Sequence, residues 1–180
     1  MKTVFFDIDT QIDFLYPAGA LYVPGAERIV GSVAELNRRA PLVISTMCAH
    51  AEDDPEFKLY PHHCVAGTAG QLKPAATLLD RSDAARQVIL EKQELNCFTN
   101  PRLDALLAEI QPERAVVYGV VTELCVRFAA FGLLQRGKRV EIVTDAVQAL
   151  DESFARKMFS DFQALGGRLT TVGQVSDLSK

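Results

Sequence analysis

The strongest constraint on the fold is a regular alternation of short apolar runs with segments of helical spacing. Six runs of strand length, rich in β-branched residues, follow one another at residues 3–8, 42–46, 87–90, 115–120, 140–143 and 169–172. Apolar residues recur at helical spacing over residues 26–39, 101–110, 122–136 and 151–165. Nearly continuous apolar strands that alternate with helices predict an α/β fold, in which helices cover both faces of a mainly parallel sheet.

Length and charge narrow the class of protein. The chain has 180 residues, of which 48% are hydrophobic and 23% charged, so we expect one domain over residues 1–180 with a core that needs no disulfide. Its 23 acidic residues outnumber 19 basic ones, and no basic run is present, which makes nucleic acid a poor partner. No apolar run approaches the length of a membrane span or a signal-peptide core, so we expect a cytoplasmic protein without a membrane partner.

Reactive side chains are expected at one edge of this sheet, because ligands of α/β sheets bind outside the carboxyl ends of the strands. The first run ends at Asp7 and Asp9, the third is followed by Lys92, and the fourth leads into a helix that carries Cys125. A carboxylate, an amine and a thiol therefore converge. A thiol in the first turn of a helix is stabilised as the thiolate by the helix dipole, which predicts that Cys125 is a reactive nucleophile.

Three segments resemble the signatures of one enzyme family. Residues 9–14 are D-T-Q-I-D-F, residues 61–68 are P-H-H-C-V-A-G-T, and residues 119–126 are G-V-V-T-E-L-C-V. In this order they are similar to the D-x-Q-x-D-F, P-x-H-C-V-x-G-T and G-h-x-T-x-x-C-V segments of the isochorismatase-like cysteine hydrolases, which include the nicotinamidases. Lys92, followed six residues later by Phe98, occupies the expected place between the last two segments.

The resemblance implies a three-layer α/β/α fold with strand order 3-2-1-4-5-6. It also implies a catalytic triad of Asp9, Lys92 and Cys125, a cis peptide between Val120 and Val121, and an oxyanion hole formed by Val121 and Cys125. In such a site the carboxylate takes the thiol proton, and the sulfur attacks a small amide to form a thioester acyl-enzyme. A nicotinamide-like amide is the expected substrate, and an isochorismatase-type or other hydrolase acting on a different substrate is the alternative. Members commonly assemble, so we expect a homo-oligomer.

The substrate pocket is expected to include aromatic side chains. Phe14, Tyr60 and Phe98 match positions where the resemblance implies packing around a flat substrate. The connection over residues 47–86 is rich in proline and glycine and holds all three histidines. A long irregular connection inside a compact domain is more often functional than accidental.

The resemblance also implies four metal-ligand positions, which fall at Cys48, His50, Glu56 and His63. Two histidines are present, while cysteine and glutamate replace an aspartate and a histidine of the family pattern. Cysteine, histidine and glutamate all bind zinc. If a metal binds, we therefore expect zinc on His50 and His63, with Cys48 or Glu56 completing the set. The cysteine chemistry itself requires no cofactor, and the alternative is that these residues form an ordinary hydrogen-bonded loop.

Two other functions fit parts of the sequence. The D-I-D-T segment at residues 7–10 also matches the signature of haloacid-dehalogenase-type phosphatases, which would make Asp7 the nucleophile and Asp9 the acid/base. Thr46 would then bind phosphate and Asp145 would bind magnesium, but Asp145 lacks a close acidic partner and the Cys125 segment stays unexplained. A noncatalytic nucleotide-binding domain is the third interpretation, although the sequence lacks both common glycine-rich phosphate loops.

Overall fold

A parallel six-stranded sheet forms the centre of the computed structural model, which describes residues 1–175. The strands are β1 Thr3–Ile8, β2 Val43–Cys48, β3 Gln87–Lys92, β4 Arg114–Val120, β5 Arg139–Gln148 and β6 Arg168–Thr170. Their order is β3-β2-β1-β4-β5-β6, and each neighbouring pair is parallel. The predicted α/β class and strand order are confirmed.

The central strands are covered on both faces. Every residue of β1, β2 and β4 is buried, whereas burial varies along the edge strands β3 and β6. The helices around the sheet are α1 Ile12–Leu15, α2 Val30–Arg39, α3 Pro101–Ile110, α4 Arg127–Gln135 and α5 Glu152–Ala164. Within residues 1–175, no helix combines the length and the apolar character needed to cross a membrane.

Capping side chains fix where two of the predicted helices begin. The Asn100 side chain accepts a hydrogen bond from the backbone N–H of Arg102, and Pro101 occupies the first helical position of α3. Asp151 accepts from the N–H groups of Ser153 and Phe154 at the start of α5. These side chains satisfy backbone donors that have no partner within the helix.

The segment predicted as one helix over residues 122–136 consists of two parts. Thr122–Val126 is a π turn, in which the N–H of Val126 donates to the carbonyl of Val121, five residues earlier, at 3.1 Å. The α-helix α4 follows it. This wider turn connects β4 to α4, and Cys125 lies in it.

Glycine is required where β1 and β4 lie side by side. Gly119 has φ +115°, and a Cβ atom there would lie 2.1 Å from the carbonyl oxygen of Ile8. The two strand ends therefore approach more closely than any side chain would allow. This contact brings the residues after Ile8 next to the segment that leads to Cys125, at the point where the strand order changes direction.

The long connection between β2 and β3 is anchored by two side chains of the D-T-Q-I-D-F segment. Gln11 donates to the carbonyls of Cys48 and Gln71, each at 2.8 Å. Asp13 accepts from the backbone N–H of Cys64 at 2.7 Å. Four 3₁₀ turns make up most of its regular structure: Pro55–Lys58, Ala69–Gln71, Ala75–Thr77 and Ala84–Arg86. Two buried polar residues of that segment therefore hold the connection against the sheet edge.

Candidate active site

Three different elements bring a carboxylate, an ammonium and a thiol together at the carboxyl edge of the sheet. Asp9 follows β1, Lys92 is the last residue of β3, and Cys125 lies in the π turn after β4. The Nζ atom of Lys92 lies 2.8 Å from Oδ2 of Asp9 and 3.8 Å from Sγ of Cys125. The sequence-predicted trio is therefore assembled in the structure, with each residue at most 5% exposed.

Lys92 reaches this position from a strand that is not adjacent to β4. It pairs in register with Cys48 of β2, and its side chain passes the end of that strand. Its Nζ donates to the carbonyl of Glu94 at 2.9 Å and to Sγ of Cys48 at 3.2 Å. Burial alone would lower the pKa of the Lys92 ammonium, but the negative charge of the Asp9 carboxylate raises it well above its ordinary value.

The orientation of Asp9 is set by Thr46. The backbone N–H of Asp9 donates to the carbonyl and the hydroxyl oxygen of Thr46, and the hydroxyl of Thr46 donates to Oδ1 of Asp9 at 2.6 Å. Oδ2 is left to face Lys92. Asp9 itself has φ +48°, a left-handed conformation that is uncommon for a residue other than glycine.

The electrostatics of Cys125 differ from the sequence-based expectation. Burial raises the pKa of the Cys125 thiol well above its ordinary value, and the Asp9 carboxylate adds to this effect, while the Lys92 ammonium acts in the opposite direction. Burial therefore opposes the thiolate that the sequence analysis expects at Cys125, and the Lys92 ammonium favours it. A thiol with a raised pKa requires a base to remove its proton, and the Asp9 carboxylate is near enough to act on Cys125.

The peptide bond between Val120 and Val121 is cis. It lies at the end of β4, immediately before the π turn that carries Cys125. Val121 and Cys125 both line an apolar cavity at this edge of the sheet. The residues expected to form an oxyanion hole thus lie at the wall of that cavity.

A narrow, mainly apolar cavity opens onto Cys125. It is lined by Phe14, Leu21, Val23, Cys48, Glu56, Tyr60, His63, Leu95, Val121, Leu124, Cys125 and Leu150. Phe14 and Tyr60 are where the resemblance implied. Phe98 is not: its ring packs against Gly132 and lies under the Arg136 guanidinium, 3.6 Å from the ring centroid. The leucines of the lining were missed because their sequence pattern is the same as that of core residues.

Three predicted metal ligands form a cluster beside this cavity. One ligand atom from each of His50, Glu56 and His63 lies within 4.8 Å of the others. Nδ1 of His50 lies 3.0 Å from the carboxylate of Asp54, and Nδ1 of His63 lies 2.8 Å from the carbonyl of Pro61. Metal-binding histidines usually make such a contact through the ring nitrogen that does not bind the metal. In both rings this nitrogen is Nδ1, so Nε2 is the candidate ligand atom.

The donor set of the cluster fits zinc. Nε2 of His50 is buried and has no hydrogen-bond partner among the described residues, and Nε2 of His63 lies 3.7 Å from Oε1 of Glu56. Burial lowers the pKa of His63, which favours the neutral ring that a metal requires. Two imidazoles and one carboxylate are a common zinc set with an open fourth position.

Cys48 does not join the cluster, contrary to one of the sequence-based expectations. Its thiol accepts from Lys92, and burial raises its pKa to about 12. A thiol that retains its proton is a poor metal ligand. Of the two residues proposed to complete the set, the structure brings Glu56 to the histidines and leaves Cys48 with Lys92.

The residues that suggested a phosphatase have other partners. Asp7 is fully buried, and its carboxylate is 3.0 Å from Nζ of Lys73. Thr46 bonds to Asp9, and Asp145 accepts from the backbone N–H of Val172 at 2.8 Å. Asp7, Thr46 and Asp145 are therefore each bound to protein partners that the phosphatase interpretation does not explain.

The chain matches proteins of known sequence in one family. A model described as an isochorismatase domain matches residues 3–174. A Bacillus subtilis (strain 168) protein described as an uncharacterized isochorismatase family protein, PncA, is 28% identical over 163 residues, which cover 84% of this chain and 89% of that protein.

Solved structures agree with this match. A pyrazinamidase/nicotinamidase from Streptococcus mutans UA159 superposes with a TM-score of 0.86 at 26% identity, covering 93% of this chain and 99% of that one. A pyrazinamidase of Pyrococcus horikoshii in complex with zinc also gives a TM-score of 0.86 at 26% identity, covering 95% and 99%. The similarity therefore extends over nearly the whole of each chain.

Proposed function

The chain belongs to the isochorismatase family and is a hydrolase, and we propose that it cleaves the C–N bond of a small amide with Cys125 as the nucleophile. The observation that carries this proposal is the position of Lys92, whose Nζ lies 2.8 Å from Asp9 and 3.8 Å from the thiol. A thiol beside a paired carboxylate and ammonium is suited to nucleophilic catalysis on a carbonyl group.

The reaction begins with a proton transfer from Cys125 to Asp9. Because burial raises the pKa of the thiol, the transfer accompanies attack of sulfur on the amide carbon, and Lys92 stabilises the negative charge as it develops. The backbone N–H groups of Val121 and Cys125 are the proposed donors to the tetrahedral oxyanion.

Collapse of the tetrahedral intermediate breaks the C–N bond. Asp9 returns its proton to the leaving nitrogen, which departs as ammonia or an amine, and the acyl group remains on sulfur as a thioester. Water then attacks the thioester with Asp9 as the base. This second step releases the carboxylic acid and returns the proton to Cys125.

The cavity favours a compact amide with an apolar acyl group. Most of its lining is aliphatic or aromatic, and Phe14 and Tyr60 supply rings that can pack against a flat substrate. His50, Glu56 and His63 would hold zinc at one side of this cavity. When bound, zinc would supply a coordination position for a heteroatom of the substrate, such as a pyridine-type nitrogen.

A panel of amides tests the proposal. Nicotinamide, pyrazinamide, benzamide and an N-carbamoyl amino acid are each assayed for release of ammonia, with Cys125→Ala as the control for background hydrolysis. We expect the planar neutral amides to be cleaved and the N-carbamoyl amino acid, which carries a carboxylate, to be poor. Equal ammonia release by the wild-type and Cys125→Ala proteins on every amide would refute an amidase with this nucleophile.

A further inference from the structure

A second buried lysine–aspartate pair lies beside the site but takes no part in the proposed reaction. Nζ of Lys73 lies 3.0 Å from Oδ2 of Asp7, and the two side chains are 1% and 0% exposed. Burying two charges costs free energy that their mutual attraction repays only with good geometry and further hydrogen bonds. Such a pair therefore calls for an explanation.

The pair belongs to a network that connects it to Thr10. The hydroxyl of Thr10 donates to Oδ1 of Asp7 at 2.6 Å and accepts from Nζ of Lys73 at 2.5 Å. Asn37 and Ser45 each donate to Oδ2 of Asp7 at 3.1 Å. The Asp7 carboxylate thus has partners at both oxygens, and the hydroxyl of Thr10 is fixed as donor and acceptor.

Thr10 is the residue directly after Asp9. Because Asp9 is held at φ +48°, the turn that aims its carboxylate is an uncommon conformation, which persists only where surrounding contacts enforce it. Thr46 holds the turn through the side chain and backbone of Asp9, and the network with Lys73 holds it at Thr10. The turn is clamped on both sides.

We propose that Lys73 and Thr10 are positioning residues for Asp9. The long connection between β2 and β3 supplies Lys73, which locks the Asp9–Thr10 turn so that Oδ2 of Asp9 stays beside Lys92 and Cys125. The inference rests on the proposed function in that Asp9 is taken as the base for Cys125. It also accounts for the D-I-D-T segment. Asp7 and Thr10, together with Lys73, form a hydrogen-bonded lock on the turn, and Asp9 acts as the base.

Two matched substitutions at Thr10 test the lock without removing a buried charge. Thr10→Val keeps the shape of the side chain but loses both hydrogen bonds, whereas Thr10→Ser keeps the hydroxyl. Lys73→Met tests the same lock from its other end. Lys157→Met is the control, because Lys157 belongs to an exposed pair with Asp161.

The readouts are kcat and KM on the best amide of the panel, the melting temperature, and the rate at which iodoacetamide alkylates Cys125, followed by peptide mapping. We expect Thr10→Val and Lys73→Met to lower kcat and the alkylation rate by about tenfold or more, because a misplaced base is inefficient. KM should change less than kcat. Thr10→Ser and Lys157→Met should stay close to wild type in both rates.

A purely structural role predicts a different result. If Thr10→Val and Lys73→Met lower the melting temperature while the folded proteins keep wild-type kcat and wild-type alkylation, or if Thr10→Ser fails to restore either rate, the positioning role is refuted. Alkylation needs no substrate, so it separates the two proposals. An enzyme that cleaves no amide in the panel, yet shows the expected alkylation pattern, would overturn the amidase proposal and support the lock.

Discussion

Nζ of Lys92 lies 2.8 Å from Oδ2 of Asp9, and neither side chain is more than 2% exposed. Opposite charges this close and this buried act as a unit with little net charge, so the ammonium has limited power to stabilise a thiolate on Cys125 at rest. Burial therefore dominates, and the pKa of Cys125 is raised. The site is built to move a proton during attack, with the base already oriented.

The first prediction concerns the nucleophile. Cys125→Ala removes the atom that forms the thioester, so kcat should fall by about a thousandfold or more while the fold is retained. Cys97→Ala is the control: Cys97 is also buried, but it lies outside the lining of the cavity and its loss should change kcat only slightly. Ammonia release and circular dichroism measure the two effects. Turnover retained by Cys125→Ala would exclude it as the nucleophile.

The second prediction concerns the energetic coupling of Asp9 and Lys92. Asp9→Asn leaves a buried ammonium without its counter-charge and should lower the free energy of unfolding by about 3 kcal/mol. Asp9→Asn combined with Lys92→Met should cost clearly less than the sum of the single changes. Urea unfolding of the four proteins gives the coupling energy.

The exposed pair of Lys157 and Asp161 is the control for that cycle. Its Nζ and Oδ2 also lie 2.8 Å apart, but the side chains are 72% and 53% exposed. Solvent screening should reduce its coupling energy to about 0.5 kcal/mol or less. Similar couplings for the two pairs would mean that the Asp9–Lys92 contact is not a buried ion pair in solution.

The third prediction is a loss of stability at alkaline pH. Burial raises the pKa of Cys48 and of Cys97 to about 12, and it also raises the pKa of Cys125. A thiol with a higher pKa in the folded state binds its proton more tightly when folded. Its contribution is therefore complete below the pKa of the unfolded thiol, about 8.5, and is lost as the pH rises towards the folded value.

Above a pH of about 8.5, each such thiol should lower the free energy of unfolding by up to about 1.4 kcal/mol per pH unit. The free energy of unfolding, measured with urea under reducing conditions at about pH 7.5 and about pH 10.5, should fall accordingly. Cys97→Ala should make the fall shallower by one thiol's share. A free energy that is equal at both pH values would contradict the raised thiol pKa values.

Much of the fold follows directly from the sequence. The apolar runs located all six strands, and the helical spacing placed α3 at residues 101–110 as observed, because a proline in the first turn is a local signal for a helix start. Periodicity did not distinguish the π turn of Thr122–Val126 from an α-helix, since one extra residue in a turn leaves the apolar spacing nearly unchanged. The apolar pattern also ended the fifth run at residue 143, whereas β5 extends to Gln148, because the strand pairs with β4 again at Val147 and Gln148 after a shift in register.

The part of the site that could be predicted from the sequence was its set of reactive side chains. Asp9, Lys92 and Cys125 lie at or after strand ends, so topology placed them at one edge of the sheet, and the family resemblance selected them as a trio. The pKa of Cys125 was not predictable, because it depends on burial that the sequence does not state. The role of Lys73 was not predictable either, because Lys73 lies in a long irregular connection and its contact with Asp7 has no local sequence signal.

The fourth prediction concerns the close contact of β1 and β4. Gly119→Ala places a Cβ atom 2.1 Å from the carbonyl oxygen of Ile8 at φ +115°, so it should lower the free energy of unfolding by about 3 kcal/mol or more. Gly31→Ala is the control, since its Cβ would meet no atom within 4 Å and alanine favours the helix by about 1 kcal/mol. Thermal unfolding of both variants should give shifts of opposite sign. Equal shifts would contradict the strand contact.

The fifth prediction is that the chain binds zinc at His50, Glu56 and His63. Protein purified without an affinity tag should hold about one equivalent of zinc per chain, and a zinc concentration about 100 times the dissociation constant should add about 2.7 kcal/mol to the stability of the metal-free protein. His63→Ala should abolish this stabilisation. Elemental analysis and the melting temperature measure these effects independently of activity.

Two substitutions separate this site from its neighbours. His62→Ala should keep zinc, because His62 is exposed and stacks on Phe57. Cys48→Ser should also keep zinc, because the Cys48 thiol is bound to Lys92 rather than to the cluster. Loss of zinc in Cys48→Ser would instead show that the thiol turns towards the histidines when metal binds. Less than about a tenth of an equivalent in the wild-type protein, with no stabilisation by added zinc, would mean that His50 keeps a buried ring nitrogen unpaired, and that the amide is selected by the apolar cavity alone.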